Sequence, residues 1–382
     1  MIAAIVFWAA VGLLVYTYLG YPLILKLLVL AKGRPRPPVA EGDVLPRVTA
    51  LVVAHNEEAG ILDKISNILD NGYPDDLIEV IVCSDGSTDR TNDLVESHGD
   101  PRVRLAASPT NIGVNEAFSM GTGLATGDVL LMTDSGGMFR QGAIETAARH
   151  FADPRVGLVS GNIYYENRSQ SAIGSGYHGY WFIETGVRQL ESDLGFSIVT
   201  VGIFEMIRRE AYLPVPSQYN NDMAAPIYAW SLGYRCRYEP AAVAVAIQKK
   251  TPSQDMQRRI RMAVRGWSSM PFILKHVPLF RHLRIWAALI SHKYLRWAGG
   301  FALLSLLVAN AFLLHHWFYQ IAFAGQAAFY LAGLAGWLLA SRGKRVGPIS
   351  LCFYFCLLQL GGMIGLIQTL AGRRYGVWKP VE

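Results

Sequence analysis

The run Ile2–Ala31 carries a single charge, Lys26, and this constrains the chain more than any other feature. A helix that crosses a bilayer needs about 20 apolar residues. The run is too long for the apolar part of a secretory leader and lacks its basic start, so it is expected to stay as a membrane anchor. Further apolar runs, Trp297–Leu314, Trp317–Ala340 and Pro348–Ala371, lie toward the other end. The chain is 52% hydrophobic and only 17% charged, yet Val48–Arg265 has the mixed composition of a globular unit large enough for a full core. The expected organisation is an anchor at 1–31, a proline-rich linker at 32–47 and a globular domain at 48–265. Interfacial helices at 266–296, membrane helices at 297–372 and a tail at 373–382 follow.

Lys26, Lys32, Arg34 and Arg36 crowd the end of the first run, which by the positive-inside tendency puts the globular domain in the cytosol. The net charge of +6 gathers beside the apolar runs, so the bilayer is the expected partner and nucleic acid is not. The four cysteines form no CxxC pair, and Cys352 and Cys356 are expected to be buried thiols of a reducing compartment. Pro271–Arg296 contains eight basic or histidine side chains. Spanning would bury them at a few kcal/mol each, so this stretch reads as one or two helices lying in the interface. His315-His316 reads as a wet turn. Pro348–Ala371, interrupted by Gly361-Gly362, either spans or forms a hairpin kinked at the glycines; a span leaves Arg373, Arg374 and Lys379 outside.

Between the apolar ends, strand and helix patterns alternate. Val48–Ala54, Ile78–Cys83, Val103–Ala106 and Val129–Met132 read as strands, with helices at Gly60–Leu69, Thr91–Ser97 and Asn115–Ala125. This rhythm argues an α/β domain with a largely parallel sheet and helices on both faces. Right-handed crossovers then bring His55-Asn56-Glu57, Asp85 and Asp134 to one sheet edge, where such sheets bind ligands. Past Val156, an aromatic amphipathic helix is expected at Gly179–Glu191. A polar loop then leads through Asp222 into a helix at Met223–Leu232.

Acids at strand and loop ends beside a basic helix fit group transfer from a phosphorylated donor. Asp85 would accept from a base or ribose, and Asp134 would approach a diphosphate through a divalent ion. Asp222 would be a general base, and Arg258, Arg259, Arg261 and Arg265 would balance a leaving diphosphate. Plainer readings exist for each: a turn former at 134, a helix cap at 222, a lipid-facing stripe for the arginines. Glu205 reads as a paired structural acid or a site residue.

At these residues the chain resembles the membrane-anchored family 2 glycosyltransferases of the bacterial polysaccharide- and glycolipid-building type. The resemblance rests on VVAHNEE (52–58), SDGSTDRT (84–91), ATGDVLLMTDSG (125–136), YWFIETGVRQLES (180–192), the run 221–244, QRRIRMAVRGW (257–267) and SHKYLRW (291–297), with a terminal Trp378. It implies a GT-A domain, a Rossmann-like mixed sheet, that inverts the anomeric carbon in one displacement. It implies Mg²⁺ or Mn²⁺ on Asp134, and a nucleotide-sugar donor held by His55, Asn56, Glu57, Asp85, Asn111 and Asp134. The acceptor, lipid-linked or glycan, would lie near Tyr180, Trp181 and Glu184, with Asp222 as base. The setting implied is a bacterial inner membrane, cytosolic face, with polysaccharide-assembly membrane proteins as partners.

The chain departs from the family pattern in four places. The DxD motif is here Asp134-Ser135-Gly136, without its second acid. Val114 stands where a lysine often follows the Asn-x-Gly turn, Asn221 precedes Asp222 where a second acid is usual, and the QxxRW signature is missing. Two functional readings follow: an active transferase, or a non-catalytic relative that binds nucleotide or scaffolds a polysaccharide-building complex.

Overall fold

The structure, a computed structural model, describes residues 1–33, 44–166, 172–246, 251–344 and 347–376, without the side chains of 172–180. The chain enters through α1 (Ile2–Val15), a π-turn at Tyr16–Gly20 and α2 (Tyr21–Lys32). It then forms β1 (Val48–Ala54), α3 (Ile61–Leu69), β2 (Ile78–Asp85), α4 (Thr91–Glu96), β3 (Val103–Ser108), α5 (Val114–Thr122) and β4 (Val129–Asp134). All seven residues of β1 are buried, which is why the strand reads as a continuous apolar run without alternation. β1 pairs in parallel with both β2 and β4, and β2 with β3. Ala54 lies opposite Ser84, and Val53 opposite Asp134. The strands therefore end together, and His55, Asp85 and Asp134 arrive at one edge as expected.

The second half follows a different rule. It runs through β5 (Met138–Phe139), α6 (Ala143–Ala148), β6 (Val156–Tyr165), α7 (Ala172–Asp193), β7 (Glu205–Arg208), α8 (Asn221–Ser231) and β8 (Arg235–Ala246). The sheet order is β3-β2-β1-β4-β7-β6-β8-β5, with β7 antiparallel to β4 and β6. β7 makes the sheet mixed, and its four residues, Glu-Met-Ile-Arg, are too short and too charged to stand out in the sequence. Ile61, Ile65 and Ile68 of α3 pack with α6 on one face of the sheet. Ala117 and Phe118 of α5 and Ala225 and Ala229 of α8 cover the other.

The basic stretch begins α9 (Pro252–His276), started by a capping box in which Thr251 and Gln254 satisfy each other's backbone amides. This helix runs 25 residues, across both the expected 265/266 boundary and Pro271. α10 (Leu283–Leu289), a π-turn at Ile290–Tyr294 and α11 (Leu295–Ala311) follow, then α12 (Trp317–Ser341) and α13 (Gly347–Leu370). Among the described residues three helices are long and apolar enough to cross a membrane: Ile2–Lys32, Trp317–Ser341 and Gly347–Leu370. The expected run Trp297–Leu314 instead overlaps α11, which has 17 residues, carries the buried Arg296 in its first turn and ends at Ala311. Between α11 and α12 the chain turns at His315-His316, where His316 Nδ1 caps Phe318.

α13 continues straight through Gly361-Gly362, so the kinked-hairpin alternative does not hold. The glycines permit close approach instead. A Cβ at Gly362 would meet the Trp297 carbonyl oxygen at 2.6 Å, and one at Gly361 would meet Arg259 Cβ at 2.9 Å. Cys352 and Cys356 on α13 are free and half-buried rather than buried.

Candidate active site

The carboxyl edge of β1, β2 and β4 faces α8 and α9 across a cleft with two lobes. One lobe, about 440 Å³, is lined by His55, Glu57, Asp85, Glu205, Arg261 and Arg265 among others. The second, about 490 Å³, is lined by Trp181, Glu184, Arg188, Arg259 and Lys293 among others. Asp134, Gly136, Gly202, Asp222 and Arg258 border both. The two acids singled out for chemistry thus stand at the junction of the lobes.

Asp85 is buried, and its carboxylate accepts the amides of Ile112 (2.6 Å) and Gly113 (3.1 Å). This ties the 111–113 turn to the end of β2. The turn lies so close that a Cβ at Gly86 would stand 2.5 Å from the Asn111 nitrogen, and Gly86 also has a φ of 68°. Asn56 has a left-handed φ of 56°, and its Oδ1 accepts the Thr88 amide at 2.7 Å. Asn56 and Asn111 therefore build the rim of the first lobe from behind and do not line it. His55 does line it, with Nδ1 2.7 Å from the Asp85 carbonyl oxygen.

Asp222 lies in the first turn of α8, and the residue in the N-cap position is Asn220. The helix-cap reading of Asp222 is thereby excluded. Gly202 makes room for the acid: a Cβ there would stand 2.6 Å from Asp222 Oδ1. Burial raises the Asp222 pKa, and Arg265, Arg188 and Arg258 partly offset this. A carboxylate with a raised pKa yet ringed by arginines has the chemistry to take up a proton.

Glu205 on β7 lies behind Asp222 as a buried acid. Its hydrogen-bond partner is the Thr200 hydroxyl, and no cation pairs with it among the described residues. The paired-acid reading is therefore corrected. Burial raises its pKa to about 8 and the nearby Asp222 adds to the shift. Between about pH 4.5 and 8 the folded state keeps a proton that the unfolded state loses, so this residue's contribution to stability fades as pH rises through that window. Glu205→Gln is expected to flatten the decline of thermal stability across those pH values, measured by unfolding in detergent. An unchanged slope would contradict the assignment.

The metal half of the cleft is sparse. Asp134 Oδ1 accepts the Gly137 amide at 3.0 Å, while its side chain stays open to the cleft. Among the described residues no group of three or more His, Cys, Asp or Glu could hold a metal ion. The donor set fits an ion shared between Asp134 and a ligand's phosphates, since Mg²⁺ sites often use one or two carboxylates plus substrate oxygens. Beneath the turn lies Lys64, fully buried, which donates to Thr133 Oγ1 at 3.0 Å and to the Gly137 carbonyl. Burial lowers its pKa to about 7, against the pull of Asp134. A lysine on the apolar face of α3, between Ile61 and Ile65, is the one sequence signal of this contact. A Cβ at Gly136 would meet only Asp134 Oδ1, at 3.9 Å, so the missing acid has space. Gly136→Asp is expected to tighten Mn²⁺ binding, measured by calorimetry, by roughly tenfold; unchanged affinity would contradict the geometry.

Residues 49–213 match the model of glycosyl transferase family 2. The chain carries a family 2 glycosyltransferase domain. An N-acetylglucosaminyltransferase of Rhizobium meliloti (strain 1021) is 27% identical over 237 residues, 57% of this chain and 55% of that one. A poly-beta-1,6-N-acetyl-D-glucosamine synthase of Staphylococcus aureus (strain COL) is 28% identical over 232 residues, 59% and 55%. The chain thus spans little more than half the length of these curated relatives. In overall shape it is similar to a mannosyltransferase from Pyrobaculum calidifontis solved with GDP-Man and Mn²⁺. The TM-score is 0.70 at 21% identity, covering 96% of this chain and 99% of that one. The shared fold is GT-A.

Within the family 2 domain and the helices behind it, the remaining expected site residues separate. Arg258, Arg261 and Arg265 line the first lobe, and Arg265 also holds the Tyr219 carbonyl at 2.6 Å. Arg259 lines only the second lobe, donating to the Tyr354 hydroxyl on α13 and pairing with Asp255 at 3.6 Å. Trp181 and Glu184 line the second lobe, and the Tyr180 side chain lies outside the described residues. Glu184 is buried and meets Arg296 at 2.6 Å, Lys293 at 2.9 Å, His292 at 3.3 Å and Arg188 at 3.4 Å. Its first visible task is to bind α7 to the π-turn and α11. The SHKYLRW motif supplies these partners, and sequence alone did not connect the two.

Proposed function

We propose that this protein is an inverting glycosyltransferase. It moves a sugar from a nucleotide-sugar donor to a membrane-associated acceptor at the cytosolic face of a bacterial inner membrane. One observation carries the reading: Asp222 and Asp134 stand where the two lobes meet, the place a donor's anomeric carbon and an acceptor hydroxyl must share. The first lobe takes the donor. Asp85 and the turn it holds receive the nucleoside, with His55 and Glu57 beside them. Asp134 would hold Mg²⁺ or Mn²⁺ jointly with the diphosphate, and such an ion neutralises charge on the leaving group.

In the reaction Asp222 takes the proton of the acceptor hydroxyl. The acceptor oxygen bonds to the anomeric carbon as the bond to the diphosphate oxygen breaks, and that oxygen keeps the electron pair. Arg258, Arg261 and Arg265 stabilise the departing nucleoside diphosphate. A single displacement inverts the anomeric centre. The relatives named for N-acetylglucosamine transfer and the neighbour solved with GDP-Man support the donor class.

The absence of a second acid at Gly136 favours a second reading, a nucleotide-binding scaffold without turnover. Purified protein in nanodiscs, offered a panel of nucleotide sugars with Mg²⁺ or Mn²⁺, separates the two. Release of nucleoside diphosphate from one donor is expected; binding without release from any donor would support the scaffold.

A further inference from the structure

The second lobe does not end at α9. It shares Arg259, Met262, Lys293 and Trp297 with a small cavity of about 100 Å³ that reaches Arg296 and Gln359. Gln359 in turn borders a groove of about 680 Å³ walled by the start of α9 and by α11, α12 and α13, including Leu303, Leu307, Trp337 and Leu357. The path therefore runs from Asp222, through a cationic neck, into the membrane helices.

Charge and polarity along this path differ sharply. The lobe and neck together present five cationic side chains, Arg188, Arg258, Arg259, Lys293 and Arg296, against three carboxylates on their walls, Asp134, Glu184 and Asp222, and a fourth, Asp255, behind Arg259. Such an excess favours an anion. The groove is almost entirely apolar. Tyr330, one of its few polar groups, already shares its hydroxyl with Gln326 and the Leu303 carbonyl. A glycan there would leave its hydroxyls without partners, at a cost of one to several kcal/mol each. A hydrocarbon chain loses nothing.

We propose that the acceptor is a sugar-bearing lipid phosphate or diphosphate, with its anionic head in the Arg259–Lys293–Arg296 neck and its hydrocarbon tail in the groove between α11, α12 and α13. This rests on the transferase reading above, and it chooses the lipid-linked acceptor over a free glycan. A sugar carried by that head group then supplies the hydroxyl that Asp222 deprotonates on the cleft side of the neck, and the length of the neck fixes how far the acceptor reaches into the cleft.

The test uses full-length protein in nanodiscs and farnesyl phosphate bearing a photoreactive group near its tail end. Label is expected on peptides from α11 and α13, displaced by unlabelled farnesyl phosphate about tenfold better than by farnesol, which lacks the anionic head. Leu307→Trp, which fills the groove, should abolish that label while nucleoside diphosphate binding by calorimetry is unchanged. Lys293→Gln should lower labelling about tenfold. Label spread evenly over the outer faces of α1, α12 and α13, equal for phosphate and alcohol and indifferent to Leu307→Trp, would overturn the proposal. Failure of the transferase reading looks different: the probe seats in the groove but no donor is turned over.

Discussion

Asp222→Asn is expected to lower transfer by about 10²–10⁴-fold, the range that a positioned general base supplies, while nucleoside diphosphate still binds. The substitution keeps size and shape beside Gly202, where there is no room to spare. It removes only the capacity to take a proton, which burial enhances by raising the Asp222 pKa. The arginines around Asp222 complicate a simple acid, because Arg265, Arg188 and Arg258 hold the pKa down again. The two effects oppose each other, and the balance leaves the Asp222 pKa raised. Turnover at the wild-type rate in this variant would remove Asp222 from the chemistry.

Glu184→Gln is expected to destabilise the protein by about 3–5 kcal/mol, the cost of removing one member of a buried ion cluster. Arg188, Lys293, Arg296 and His292 converge on this carboxylate. Burial opposes ionisation, but Lys293, the His292 hydrogen bond and Arg296 hold its pKa well below the usual carboxylate range. Its contribution is therefore present above the ordinary glutamate pKa and is lost as pH falls toward the folded value. Thermal unfolding in nanodiscs reads the loss. A variant with wild-type stability and impaired transfer would instead return Glu184 to the acceptor role that its place in the sequence suggests.

Strands β1, β2 and β4 were legible because each is a buried, largely apolar run that leads to a polar residue, and parallel pairing leaves little freedom in where those ends go; β3, half-exposed and interrupted by Arg104, stood out only through the strand–helix alternation around it. Strand β7 was not legible. It is four residues long and opens with Glu205, and only its pairing between β4 and β6 makes it a strand. The cleft acids could be read at the level of residue type, but the sequence could not say which way a side chain turns. Arg259 sits one position from Arg258 on the same helix, yet it reaches Tyr354 on α13 from the wall of the second lobe, while Arg258 borders both lobes. Asn56 and Asn111 belong to site motifs and still act through the turn they shape. Lys64 was missed because a lysine in an amphipathic helix is ordinarily assigned to solvent. The glycine pair in α13 shows the same limit: glycines that suggest a break from sequence serve here to bring Trp297 and Arg259 close.

The central claim is single displacement at the junction of the two lobes. NMR of the first sugar product formed from an α-linked nucleotide donor, recorded before mutarotation or further reaction, tests it most directly. A β anomer, absent when Asp222→Asn replaces the wild type, is the result this account predicts. An α anomer, or a β anomer formed equally well by the variant, would contradict it.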